Sequence, residues 1–68
     1  MLSLADLLKV ISPVEKFEVF DTNTNITYNP RIEEMPKEWI EYEVKYIYSV
    51  MDIDDSYTII GVKEVSHA

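Results

Sequence analysis

A chain of 68 residues with 47% apolar content is too apolar for a disordered segment and makes at most one domain, burying only about 60% of its unfolded surface. Thirteen acidic residues against six basic ones give a formal charge of −7, so no basic footprint exists for a phosphate backbone or an anionic membrane, although a basic protein partner remains compatible. There is no cysteine, which excludes disulfides and thiolate metal sites and suits a reducing cytoplasm.

The chain starts "MLSLADLLKVISP". It has no basic leading region, and Asp6 and Lys9 interrupt its apolar positions, so neither a signal peptide nor a membrane span is expected. Ser3 is a helix N-cap with Asp6 at the capping-box position, and Leu2 and Leu7 stand at the two staple positions. Leu4, Leu7, Leu8 and Ile11 share one face at helical spacing. Proline restricts the residue before it, so Ser12-Pro13 ends the run. These signals predict a helix over about residues 4–11, too short to stand alone and therefore packed on something.

"KFEVF" (16–20) and the weaker "NITYN" (25–29) predict two strands, with the polar residues Asp21 to Asn25 as a hairpin loop. In "PRIEEMPKEWIEYE" (30–43), Pro36 suits the start of a short helical turn over about 36–42, with Trp39, Ile40 and Val44 as candidates for its buried side. "VKYIYSVM" (44–51) alternates. Val44, Tyr46, Tyr48 and Val50 point one way; Lys45, Ile47, Ser49 and Met51 point the other. "SYTIIGVKE" (56–64) is its hairpin partner across the acidic turn "DIDD" (52–55). A two-residue turn at Asp54-Asp55 sets Lys45 opposite Glu64 and Tyr48 opposite Gly61, and puts the tyrosines on the face of Ile59, Gly61 and Lys63. A five-residue loop sets Tyr46 opposite Val62 and Tyr48 opposite Ile60. The first register is favoured because it pairs opposite charges. A slip of one residue would move every side chain to the other face of its partner. Gly61, the only glycine, marks a bulge or a close contact, and "VSHA" is an expected frayed tail.

Asp21, Asn23 and Asn25 have the spacing of the first half of a calcium loop. That loop needs glycine at its sixth position and a bidentate acid at its twelfth. Ile26 and Ile32 stand there, so the stretch reads as a hairpin turn. Asn25-Ile26-Thr27 forms a glycosylation triplet, meaningful only on secretion. Asp52, Asp54 and Asp55 read as a solvated turn. His67 is the only histidine and lies in the tail, which leaves no triad or histidine metal site. A single glycine allows no glycine-rich phosphate loop. No cofactor, no metal and no catalytic residue is expected.

Two groups remain as candidates. Tyr46, Tyr48 and Tyr57, with Trp39, combine apolar bodies with polar tips, as interface residues do; an ordinary core role is the alternative, and base stacking, which needs more neighbouring cations than Lys45 and Lys63, is the third. One helix covers only one sheet face, so an aromatic row on the other is left for a partner. Glu33, Glu34, Glu38, Glu41 and Glu43 surround the short helical turn. They read either as a solvated face or as a surface imitating phosphate charge toward a basic partner.

The succession of "LLKVI", "FEVFD", a polar turn, "EEMPKEWIEYEV" and a closing hairpin resembles small acidic proteins of prophages and mobile elements in Firmicutes. Met35-Pro36-Lys37-Glu38-Trp39-Ile40 stands where those proteins carry "IPEELL". The resemblance implies a phage or mobile-element origin. Several small acidic phage proteins inhibit host nucleases by imitating DNA.

The expected fold is α+β, a short N-terminal helix on a small, mostly antiparallel sheet of three or four strands, with a helical turn before the last hairpin. The expected function is a non-catalytic, cytoplasmic, protein-binding accessory factor that forms a homodimer. The first alternative is an acidic nucleic-acid mimic directed at a basic host protein: a DNA-binding, restriction or CRISPR-type enzyme. A small enzyme is the second alternative.

Overall fold

The computed structural model describes residues 1–11, 16–30 and 32–65. The first element begins as its sequence requires: the Ser3 hydroxyl accepts the Asp6 N–H at 3.2 Å and starts helix α1, Leu4–Leu8. Leu4 is fully buried, Leu7 is buried, and Leu8 and Ile11 pack against the same core. The helix is shorter than the apolar periodicity predicts. The Leu7 carbonyl accepts the N–H groups of both Val10 and Ile11, closing the last turn. The Ser12-Pro13 stop lies outside the described residues. Leu2 is 45% exposed instead of buried as a staple; its carbonyl accepts the Val44 N–H.

Four strands follow: β1 (Phe17–Asp21), β2 (Thr27–Tyr28), β3 (Glu43–Met51) and β4 (Ser56–Lys63). They form one sheet in the order β2-β1-β4-β3. The outer pairs are antiparallel, as local hairpins must be. The central pair, β1 with β4, is parallel, so the sheet is mixed. A 3₁₀-helix, Lys37–Glu41, directly precedes β3, with the Pro36 carbonyl accepting the Trp39 N–H.

Val19, Ile60 and Val62 form the floor of the core, and Leu4, Leu7, Trp39 and Tyr42 form its lid. The helical turn packs beside α1 on that same face. Trp39 stands edge-on to Tyr28 at 5.0 Å and stacks on Tyr42 at 5.8 Å. Residues three apart eclipse in a 3₁₀-helix, so Trp39 and Tyr42 face inward together. Ile40, an expected core residue, is 44% exposed.

The last hairpin adopts neither of the two registers weighed from sequence. Its loop has four residues, Asp52 to Asp55, closed by the Asp52 N–H on the Asp55 carbonyl at 2.7 Å. Tyr46 therefore pairs with Gly61, Tyr48 with Ile59 and Val50 with Tyr57. The tyrosines do share a face with Ile59 and Gly61, as in the favoured register, but two positions along. Lys45 is the extra residue of a β-bulge between Val44 and Tyr46. A bulge inverts the alternation. Val44 consequently turns to the core side, opposite Val62, and leaves the tyrosine face.

Candidate functional site: the uncovered sheet face

Period-two alternation places Glu18 and Phe20 of β1 opposite in sense to Val19. The strand register then aligns Glu18 with Ile59 and Tyr48, and Phe20 with Gly61 and Tyr46. Thr27 of β2 continues the second row. No element of the described residues packs over these side chains. Tyr46 and Tyr48 are 39% and 51% exposed, with their rings stacked at 5.7 Å and inclined by 30°. The Tyr46 ring lies across Gly61, where a Cβ would collide with it, so the glycine is the seat of the ring.

Together Glu18, Phe20, Thr27, Tyr46, Tyr48 and Ile59 line an open hollow of about 130 Å³. Glu18 is its only charged group, and it forms no ion pair among the described residues. Tyr57 lies farther along the same face, opposite Val50. Trp39 does not join the other aromatics: it is 4% exposed and belongs to the core. Glu18 and Phe20 escaped the sequence reading, although the alternation of "KFEVF" already assigns them to the side opposite Val19; Ile59 shares the tyrosine face, as expected from the favoured register.

The outer edge of β3 is a second feature of this region. Ser3 bridges to Glu43, with the Leu4 N–H on the Tyr42 carbonyl at 2.9 Å and the Val44 N–H on the Leu2 carbonyl at 2.8 Å. Beyond that cap, among the described residues, Lys45 to Met51 pair on one side only.

The five glutamates around the helical turn do not act as one set. Glu33 accepts the Asn29 N–H at 2.9 Å and braces its own loop. Glu34 is exposed. Glu43 lies in β3 and pairs with Lys45 at 3.3 Å. Glu38 and Glu41 instead meet Glu64 around Tyr42. The Tyr42 phenol is raised above its usual range, first by burial and then by the charges of Glu64, Asp21 and Glu38.

The calcium-like stretch is occupied by its own hydrogen bonds. Asp21 is 4% exposed; one carboxylate oxygen accepts the Asn23 N–H at 2.9 Å and the other the Thr24 hydroxyl at 3.0 Å. Asn25 takes a left-handed conformation, φ 60°, which asparagine tolerates better than most residues. In the acidic turn, Asp52 accepts the Ile53 N–H, and Asp55 pairs with Lys16 at 2.8 Å. Among the described residues, no three His, Cys, Asp or Glu side chains gather as a metal site, and no helix is long and apolar enough to cross a membrane. His67 lies outside the described residues. Comparison of the chain with protein-family models, with curated proteins and with solved structures found no match.

Proposed function

We propose that this chain is a non-catalytic, protein-binding accessory factor of phage or mobile-element origin that works in the cytoplasm and associates with itself through β3. The carrying observation is the bare edge of that strand. The strand is nine residues long; among the described residues its outer side is capped only where Ser3 meets Glu43, and its free part from Tyr46 to Met51 carries apolar groups on both faces. Past the Lys45 bulge, an uncovered apolar edge is a template for further strands. The segment from Val44 to Met51 contains no acid, so two copies that each carry −7 meet there without opposing carboxylates. A small core without staples also gains from such burial.

Symmetry restricts the pairing. Two antiparallel copies of one edge are related by a two-fold axis normal to the sheet. Paired residues must lie on one face, so a residue must sit on the axis. The middle of the uncapped run is Tyr48. Tyr48 then faces its own copy, Tyr46 faces Val50, and Lys45 faces Met51 of the second copy. Sedimentation at micromolar concentration is expected to give twice the chain mass. Tyr48→Glu places two carboxylates on the axis and should return the folded chain to a monomer. A wild-type chain that stays monomeric throughout refutes the reading.

A second reading, the acidic mimic, is supported by the convergence of Glu38, Glu41 and Glu64 around Tyr42. Binding to a basic nuclease would be strongly salt-dependent, and joint replacement of Glu38, Glu41 and Glu64 by Gln should abolish it. Unchanged binding removes this face from consideration.

A further inference from the structure

The geometry points to the hollow between β1 and the tyrosines as a receptor for an arginine side chain of a protein partner. This extends the protein-binding reading to a second partner and does not depend on self-association, because edge pairing leaves the sheet face open. Three observations converge. First, Glu18 is a single carboxylate set among Phe20, Tyr46 and Tyr48, in a position where strand alternation alone would accept any polar or apolar residue. Second, no cation pairs with it among the described residues. Lys16, just before β1, is held by Asp55 at 2.8 Å, and Lys45, beside Tyr46, is held by Glu43 at 3.3 Å. Third, the rings are fixed in advance: Tyr46 is seated on Gly61 and stacked with Tyr48.

Aromatic faces attract cations through their quadrupoles, and a neighbouring carboxylate strengthens the site. The shape selects among cations. A guanidinium is planar, stacks on aromatic rings and presents paired N–H donors to a carboxylate, whereas a lysine ammonium is a compact, strongly hydrated point charge. The acidic chain as a whole draws a basic partner toward the face. Phe20 and Ile59 then hold the methylene stem of the arginine, and Glu18 receives its head.

The probe is a capped glycine–arginine–glycine tripeptide, titrated into the isotope-labelled protein and followed by NMR. Saturable shifts are expected at Phe20, Tyr46, Tyr48 and Ile59. The citrulline tripeptide has the same shape without the charge and should bind about tenfold more weakly, as should the arginine peptide to Glu18→Gln. The lysine tripeptide should fall between. Equal response to citrulline and arginine overturns the proposal and needs no variant to fold. So do shifts confined to Glu38, Glu41 and Glu64, or an absence of saturable shifts. Sedimentation of the same samples reports self-association separately, so failure of one reading is distinguishable from failure of the other.

Discussion

The ring of Tyr46 covers Gly61, its cross-strand partner, and occupies the space a Cβ would need. Glycine is otherwise a poor strand residue, because it lacks a side chain to pack and loses more backbone entropy. Here the aromatic ring supplies the missing cover, and the pair holds the tyrosine face flat against β4. Gly61→Ala should cost about 1–3 kcal/mol, the usual range for overpacking, and should displace Tyr46. In a Tyr46→Ala background the same change should cost far less. Urea unfolding of the two single variants and the double variant gives the coupling directly. Additive effects would mean that the ring does not constrain Gly61.

Asp21 anchors the first hairpin from within, with both carboxylate oxygens used by Asn23 and Thr24. The loop is also tied to β4: the Thr22 N–H and hydroxyl both donate to the Val62 carbonyl, at 2.9 and 3.0 Å. Asp21→Ala strands a part-buried N–H and should destabilise the fold by about 1–3 kcal/mol. Millimolar calcium should leave the melting temperature and the amide spectrum of the wild type unchanged. Saturable calcium shifts at Asp21, Asn23 and Asn25 would contradict this account of the turn.

Much of this arrangement is legible in the sequence, and the parts that are not have identifiable causes. Ser3, Leu4 and Leu7 announce α1 because capping and helical periodicity are local properties. The α+β class and the helical turn before the last hairpin follow in the same way. The parallel pairing of β1 with β4 joins residues about forty positions apart, and no local signal encodes it. Lys45 gives no warning of a bulge, yet that one residue moves Val44 from the tyrosine face to the core. The buried role of Tyr42 was readable in principle, since it stands three residues after Trp39, the repeat of a 3₁₀-helix. The acidic cluster changed membership for a similar reason: Glu64 joins Glu38 and Glu41 only through the fold.

Lys16 and Asp55 tie the entry of β1 to the tip of the last hairpin at 2.8 Å. The hydrogen bond from Lys16 is the main reason that the Asp55 carboxyl is held below its usual range. A carboxylate with a lowered folded-state pKa stabilises the fold above its unfolded value, near pH 4. That contribution is lost as the pH falls through the folded value. Lys16→Met should therefore raise the Asp55 midpoint, seen by carboxyl-carbon NMR, back toward the ordinary range. It should also flatten the acid limb of the stability curve that Asp55 contributes. An unmoved midpoint would show that the ion pair is not kept in solution.

The edge of β3 makes a prediction that separates two ways of forming a dimer. The amides of Leu4 and Val44 are already bonded across the Ser3–Glu43 bridge, and they should exchange slowly at every concentration. In an edge strand, alternate amides point away from the sheet. The outward amides between Tyr46 and Met51 should exchange fast in dilute protein. If two copies join edge to edge, those amides become protected as concentration rises, while Ile60 and Val62 in the sheet interior keep their protection throughout. Pairing of the open faces would bury Phe20, Tyr46, Tyr48 and Ile59 instead and leave the edge amides exposed to water. Concentration-dependent hydrogen exchange therefore reads the geometry, not merely the mass, of the assembly. Protection confined to the residue 46–51 amides supports edge pairing; unchanged exchange there alongside a doubled mass excludes it.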